Sequence, residues 1–204
     1  MDFSAVILAG GGSTRMGCDK KWLEYHGRPL IQRQVETLRA CSAREVFISA
    51  NHPGGLGQFG CPLVVDNFSG CGPLGGIESA LAVAGSELLL VLAVDMPRIT
   101  ARTLRKLVWR CECGCGVLPV SEFHPQPLAA VYPRQSHHAI LQFLGDGVRS
   151  ATAFAEICVE LGLMHRWAIP PSLNLEFANW NTPEDVTGSQ PRASRRGHSP
   201  ARNV

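Results

Sequence analysis

The apolar run Val6-Ile7-Leu8-Ala9 stops abruptly in three consecutive glycines, Gly10-Gly11-Gly12, and two hydroxyls, an arginine and a lysine follow (Ser13, Thr14, Arg15, Lys20). A short apolar run with a hard glycine stop predicts a buried parallel strand that turns directly into a loop. Glycine admits φ > 0 and lets backbone N–H groups approach a ligand with no Cβ in the way. A nest of such donors, with Arg15 and Lys20 behind it, suits a polyphosphate.

Two better-known phosphate loops fail on this stretch. The nucleoside triphosphatase loop needs Gly-Lys-Ser/Thr after its spacer. Gly12 and Gly17 have the spacing, but Cys18-Asp19 follow. The dinucleotide fingerprint needs a third glycine where Arg15 stands. Residues 8 to 20 do match Leu-Ala-Gly-Gly-x-x-x-Arg-Met-Gly-x-Asp-Lys position by position. On those residues the chain resembles the molybdenum cofactor guanylyltransferases, a MobA-like nucleotidyltransferase family. The blander reading is a glycine-rich turn carrying two solvated cations.

Beyond the loop, strand and helix alternate. Pro29 suits the first turn of a helix running to about Cys41, where its missing N–H costs nothing. Leu30, Ile31, Val35 and Leu38 lie on one stripe of that helix. Strands are expected at 3–8, 45–49, 63–65 and 88–94, the last being the most apolar run. Gly72-Pro73 opens a helix to about Ala84, and Thr100 caps another with Leu104, Leu107 and Val108 inward. Further strands are expected near 116–118, 128–131 and 164–168, with helices at about 135–144 and 150–161. A last helical turn is expected to open at Asn179-Trp180-Asn181. This alternation predicts an α/β three-layer sandwich with a mostly parallel central sheet. The resemblance refines it to the nucleotide-diphospho-sugar transferase type. Ligands of such sheets bind beyond the carboxyl ends of the strands, where the glycine loop, Asn51, Asp66 and Asp95 all fall.

An apolar fraction of 45% over 204 residues is ample for one core. No run approaches the roughly 18 apolar residues of a membrane span, and the start of the chain is unlike a signal peptide. A cytoplasmic protein is expected. The net charge of +2 misleads, because the stretch 187–204 holds Arg192, Arg195, Arg196 and Arg202 and no acid. Without those four, 15 basic against 17 acidic side chains leave −2, and nothing in the body points to nucleic acid. The expected organisation is a nucleotidyltransferase domain over 1–186 and a disordered Arg/Ser/Pro-rich tail over 187–204. Eight cysteines without an export signal are expected reduced. Cys111, Cys113 and Cys115 lack the second pair of a zinc knuckle and read as a helix end, a glycine turn and a strand start. His137-His138 has no acid at metal-ligand spacing and reads as two surface histidines. Of the thiols, only Cys18 has a nearby basic context, which reads as incidental.

Asp95 follows seven apolar residues, at the lip of a buried strand where a carboxylate needs a partner. A carboxylate beside phosphates is the usual tether for Mg²⁺. The resemblance supports that role and implies others. Arg15 and the glycine amides would hold the β- and γ-phosphates of GTP, and Lys20 would lie across the triphosphate near the reacting phosphorus. Leu8, Ala9, Gly10, Gly11, Asn51 and Asp66 would contact the nucleotide. Ser49 stands where the family carries an amide. The segment Gly72-Pro73-Leu74-Gly75-Gly76 matches the family's Gly-Pro-Leu-x-Gly stretch. Gly75, Arg149, Asn179 and Asn181 resemble the molybdopterin side, as does Gln126 to Tyr132, although Gln126 replaces the histidine often found there.

The implied activity is transfer of GMP from GTP to the terminal phosphate of molybdopterin, with release of pyrophosphate. Partners would be GTP, molybdopterin, and the proteins that deliver molybdopterin or receive the product. Related cytidylyltransferases tend to read Leu-Ala-Ala-Gly, so glycine at position 10 is consistent with a larger purine. A molybdopterin cytidylyltransferase, a sugar-phosphate nucleotidyltransferase and a non-catalytic GTP-binding delivery protein remain as alternatives.

Overall fold

The structure is a computed structural model that describes residues 2–10, 19–52, 54–112, 114–122 and 124–180. Its first strand, β1 (Ser4–Leu8), is buried throughout. It is followed by a small hairpin of β2 (Glu24–Tyr25) and β3 (Arg28–Pro29), turned by His26 and Gly27 at φ 51° and 73°. Next come α1 (Leu30–Ala40), β4 (Glu45–Ser49), β5 (Leu63–Val64) and α2 (Pro73–Val83). The second half runs β6 (Leu88–Ala93), α3 (Ala101–Val108), β7 (Gly116–Ser121), β8 (His124–Pro125) and β9 (Ala129–Pro133). It ends in α4 (Ser136–Gly145), α5 (Ala151–Glu160), β10 (Met164–Ala168) and a 3₁₀ segment, Pro171–Phe177.

The sheet order is β10-β7-β9-β6-β1-β4-β5, with β8 on β7. β5, β4, β1 and β6 pair in parallel, as do β7 and β10, while β9 is antiparallel to both of its neighbours. The expected mostly parallel α/β sandwich is the observed fold.

Strand periodicity builds the two faces. Ala5 and Ile7 join Leu88, Leu90 and Leu92 on one side, against the stripe Leu30, Ile31, Val35 and Leu38 of α1 and Leu104, Leu107 and Val108 of α3. Val6, Leu8, Leu89 and Val91 face the other way, onto Leu74 and Ile77 of α2, Ile140 of α4 and Phe154 of α5. Alternate residues of one strand thus feed separate cores, which is why the central strands read as unbroken apolar runs. Each fully buried Leu or Ile contributes roughly 1.5–3 kcal/mol.

The helix starts follow local chemistry. Thr100 Oγ1 accepts from Thr103 N (3.2 Å) and Ser150 Oγ from Ala153 N (3.2 Å), capping α3 and α5. Gly72, at φ 58° and ψ −147°, adopts a conformation that side chains disfavour and hands the chain to Pro73 at the start of α2. Pro29 differs from expectation: at ψ 141° it precedes α1 instead of joining its first turn, because its N-terminal side is occupied in the hairpin. The 3₁₀ segment over 171–177 was not anticipated, since it carries no helical repeat. Asn179 and Trp180 are not helical, and the rest of the expected turn there lies outside the described residues. So do the boundary at 186 and the tail 187–204. Among the described residues, no helix is long and apolar enough to cross a membrane.

Candidate functional site

β1 and β6 lie side by side in parallel with Leu8 opposite Ala93, so the residues past both strands emerge together. Val94 N–H donates to the Leu8 carbonyl (3.2 Å) and Ala9 N–H to the Ser49 carbonyl (2.8 Å), which extends the ladder beyond the strands. The chain re-enters the described residues at Asp19, whose side chain accepts from Lys21 N and caps a single 3₁₀ turn, Lys20–Trp22. That turn swings Lys20 back over the strand ends, and its Nζ donates to Asp95 Oδ2 at 2.9 Å. The two side chains are 22% and 18% exposed. Because both side chains are mostly buried, their attraction is largely offset by the cost of desolvating the two charges. Incoming phosphate can therefore displace it.

The pair faces a cavity of about 210 Å³ lined by Leu8, Ala9, Gly10, Asp19, Lys20, Lys21, Pro73, Ala93, Val94, Asp95 and Leu128. Five residues expected on the nucleotide side, Leu8, Ala9, Gly10, Lys20 and Asp95, are thus brought together. Lys21, largely buried and ion-paired to Asp19, adds a cation that the sequence reading gave no role. Two lysines against two aspartates leave the cavity near neutral. A triphosphate entering it would exchange those carboxylates for its own oxygens on the lysines. The donor set also fits Mg²⁺, which typically uses one or two carboxylates plus substrate phosphates. Asp95 and Asp19 are the two that line the cavity. Among the described residues no group of three His, Cys, Asp or Glu side chains could hold a metal alone.

Gly10 sits against the loop after β4. A Cβ added there would lie 3.6 Å from Ala50 Cα and Asn51 N and 3.9 Å from Asn51 Cγ, all ordinary contact distances. Protein packing does not demand glycine here, whereas the close approach of a ligand would. Asn51 is exposed beside it and does not line the cavity.

Asp66 also stands outside the cavity, in a cluster of its own. Ser49 Oγ donates to Asp66 Oδ1 (3.1 Å). A Cβ on Gly75 would come within 3.3 Å of Asp66 Oδ2 and 3.0 Å of the Phe68 carbonyl, so a side chain on α2 there would push the loop back by a few tenths of an ångström. Burial pushes the Asp66 carboxyl above its usual range and the nearby Glu78 charge adds to this, while the Ser49 hydrogen bond opposes it. Ser49 therefore holds Asp66 in place. Glu78 is buried and accepts from His137 Nε2 (3.0 Å), Asn67 Nδ2 (3.1 Å) and Ser79 Oγ (3.0 Å). His137 thus has an acidic partner, a distant one in sequence, while His138 is exposed as expected.

Of the remaining expected residues, Arg149 is exposed and bonds the Gly70 carbonyl (3.4 Å). Asn179 is exposed too, but its neighbour Trp180 donates its N–H to the Asp95 carbonyl (2.8 Å), which puts this segment at the cavity's edge. Gly11, Gly12, Arg15, Cys18, Cys113 and Asn181 lie outside the described residues. Cys111 and Cys115 flank the turn at Gly114 (φ 81°), matching the turn-and-strand reading. Cys61 has a basic neighbour that the sequence did not reveal, with Arg39 Nη2 3.6 Å from its Sγ.

Residues 5–159 match the MobA-like NTP transferase domain. A probable molybdenum cofactor guanylyltransferase of Opitutus terrae is 38% identical over 185 residues, which cover 89% of this chain and 92% of that protein. The molybdenum cofactor guanylyltransferase of Xanthomonas euvesicatoria is 34% identical over 183 residues, covering 89% and 91%. Among solved structures, molybdopterin-guanine dinucleotide biosynthesis protein A from Archaeoglobus fulgidus superposes with a TM-score of 0.71 at 21% identity, over 91% of this chain and 96% of that one. At that identity the likeness concerns the fold.

Proposed function

We infer the function from one premise: the chain belongs to the MobA-like NTP transferase family. On that premise it transfers GMP from GTP to the terminal phosphate of molybdopterin and releases pyrophosphate, giving the guanine dinucleotide form of the molybdenum cofactor. The observation that carries this reading within the molecule is the Lys20–Asp95 pair at the mouth of the cavity lined by Gly10.

An oxygen of the acceptor phosphate attacks the α-phosphorus of GTP as the bond from that phosphorus to the bridging oxygen of the β-phosphate breaks. Both reactants are anionic, so screening charge and aligning them dominate the chemistry. Lys20 moves from Asp95 onto the triphosphate and Lys21 supplies a second cation. The backbone N–H groups from Gly10 onward and Arg15 hold the leaving pyrophosphate. No general base is required, because the acceptor phosphate is ionised at neutral pH.

Asp95, with Asp19 at its side, would hold Mg²⁺. The ion would neutralise phosphate charge and stabilise the departing pyrophosphate. Gly10 beside Asn51 leaves room for a guanine, and Asp66 meets the ribose or base from the α2 side. Gly75, Arg149, Asn179 and Asn181 form the molybdopterin side. The body of the chain acts as the nucleotidyltransferase domain, with 187–204 as an appended tail.

Incubating the purified protein with GTP, Mg²⁺ and molybdopterin tests the reading. One pyrophosphate should appear per molybdopterin guanine dinucleotide formed, with GTP well preferred over CTP. Product formed equally well from CTP would favour the cytidylyltransferase alternative. GTP binding without pyrophosphate release would favour a delivery role.

A further inference from the structure

The loop that carries Asp95 is gripped at three successive carbonyls by three different groups. Trp180 N–H holds the Asp95 carbonyl (2.8 Å), Gln34 Nε2 the Met96 carbonyl (2.7 Å), and Arg33 Nε the Pro97 carbonyl. Gln34 and Arg33 are consecutive on α1 (Leu30–Ala40), which follows directly from the Lys20 turn and its hairpin. Gln34 is completely buried and Met96 is 1% exposed, so this bond is shielded from water. The Arg33 guanidinium lies 5.1 Å from the Tyr25 ring centroid, and Tyr25 meets Trp180 edge to face at 5.4 Å. The clamp is therefore closed: Trp180 and Arg33 grip the loop and share Tyr25 between them.

Core packing alone gives no reason for an amide at position 34. The neighbouring positions of the stripe, Leu30, Ile31, Val35 and Leu38, are all aliphatic. Gln34 Oε1 is buried with no hydrogen-bond partner among the described residues, a standing cost of the kind a leucine or methionine would avoid. Only the Nε2 bond to Met96 offsets it. A buried polar group retained under those terms points to what it positions.

We propose that Gln34, with Arg33, is a positioning residue that fixes the backbone carrying Asp95, holds its carboxylate at the cavity mouth, and so sets the geometry of the metal and triphosphate site. The proposal rests on the reading of Asp95 as the metal-binding carboxylate. Gln34 touches neither substrate nor metal. Its effect is on where Asp95 points, and a misplacement of about 1 Å at a reacting centre can cost up to a hundredfold in rate.

The test is Gln34→Met, which keeps length and volume, removes the donor and also removes the unpartnered acceptor. Electron paramagnetic resonance of Mn²⁺ with a non-hydrolysable GTP analogue reads the metal site without turnover. We expect Mn²⁺ affinity to fall several-fold and kcat about tenfold, with KM for GTP within about twofold. The thermal midpoint should drop by no more than about 5 °C. Arg33→Lys, which keeps the charge but loses the Nε donor, should give the same split to a lesser degree and serves if Gln34→Met does not fold. A folded Gln34→Met or Arg33→Lys protein with unchanged Mn²⁺ binding and kcat would overturn the clamp. Asp95→Asn run in parallel separates the two claims: full Mn²⁺ binding there would refute the role of Asp95 itself.

Discussion

The hydroxyl of Ser49, at the end of β4, stands 3.1 Å from Oδ1 of Asp66, just past β5, and opposes the upward push that burial gives that carboxyl's proton affinity. Asp66 has its proton affinity raised on folding, so it stabilises the fold at acid pH and that contribution is lost as pH rises through its folded value. Asp66→Asn should therefore raise the thermal midpoint at neutral pH and have little effect well below the usual carboxylate range near 3.8. Ser49→Ala removes the group that holds the proton affinity down. It should move the acid limb of GTP binding to higher pH, which calorimetry across a pH series would read.

Glycine at position 10 sits against Asn51 with space for a methyl group. Gly10→Ala should fold normally, since every new contact is at an ordinary distance. It should also shift preference from GTP toward CTP by up to about tenfold, corresponding to roughly 1.4 kcal/mol of lost purine fit. Competitive turnover with both nucleotides measures the ratio.

Burial pushes the thiol of Cys41 up to about 11 and those of Cys111 and Cys158 to about 12, which leaves almost no thiolate at neutral pH. Cys115 is partly exposed, 3.8 Å from His165 Nδ1, and its thiol is raised as well. Alkylation of the native protein followed by peptide mapping should label Cys115 before Cys41, Cys111 or Cys158. Denaturation should abolish the difference.

Much of this was legible in the sequence because it is written locally. The runs Val6–Ala9 and Leu88–Val94 become adjacent parallel strands, and their polar ends meet as expected at Lys20 and Asp95. The antiparallel placement of β9 left no local mark, since Ala129–Val131 reads the same in either direction. Gln34 on Met96 and Glu78 on His137 were not legible either. Each joins residues 62 or 59 positions apart, and only the packing of α1 against the loop after β6 and of α2 against α4 creates the pair. Gln34 looks like an ordinary polar residue on an amphipathic helix until its burial is known.

Closure of Lys20 and Asp95 around one triphosphate is what the proposed reaction requires. It is tested most directly by pyrophosphate release from GTP with molybdopterin at saturating Mg²⁺, comparing Lys20→Ala and Asp95→Ala with the unaltered protein. Because each truncation leaves the other, mostly buried, charge without that partner, both variants should stay folded with a thermal midpoint lower by up to about 10 °C. Each should lose at least about a hundredfold in turnover. Near-normal turnover by folded Asp95→Ala, with its metal dependence unchanged, would contradict the account.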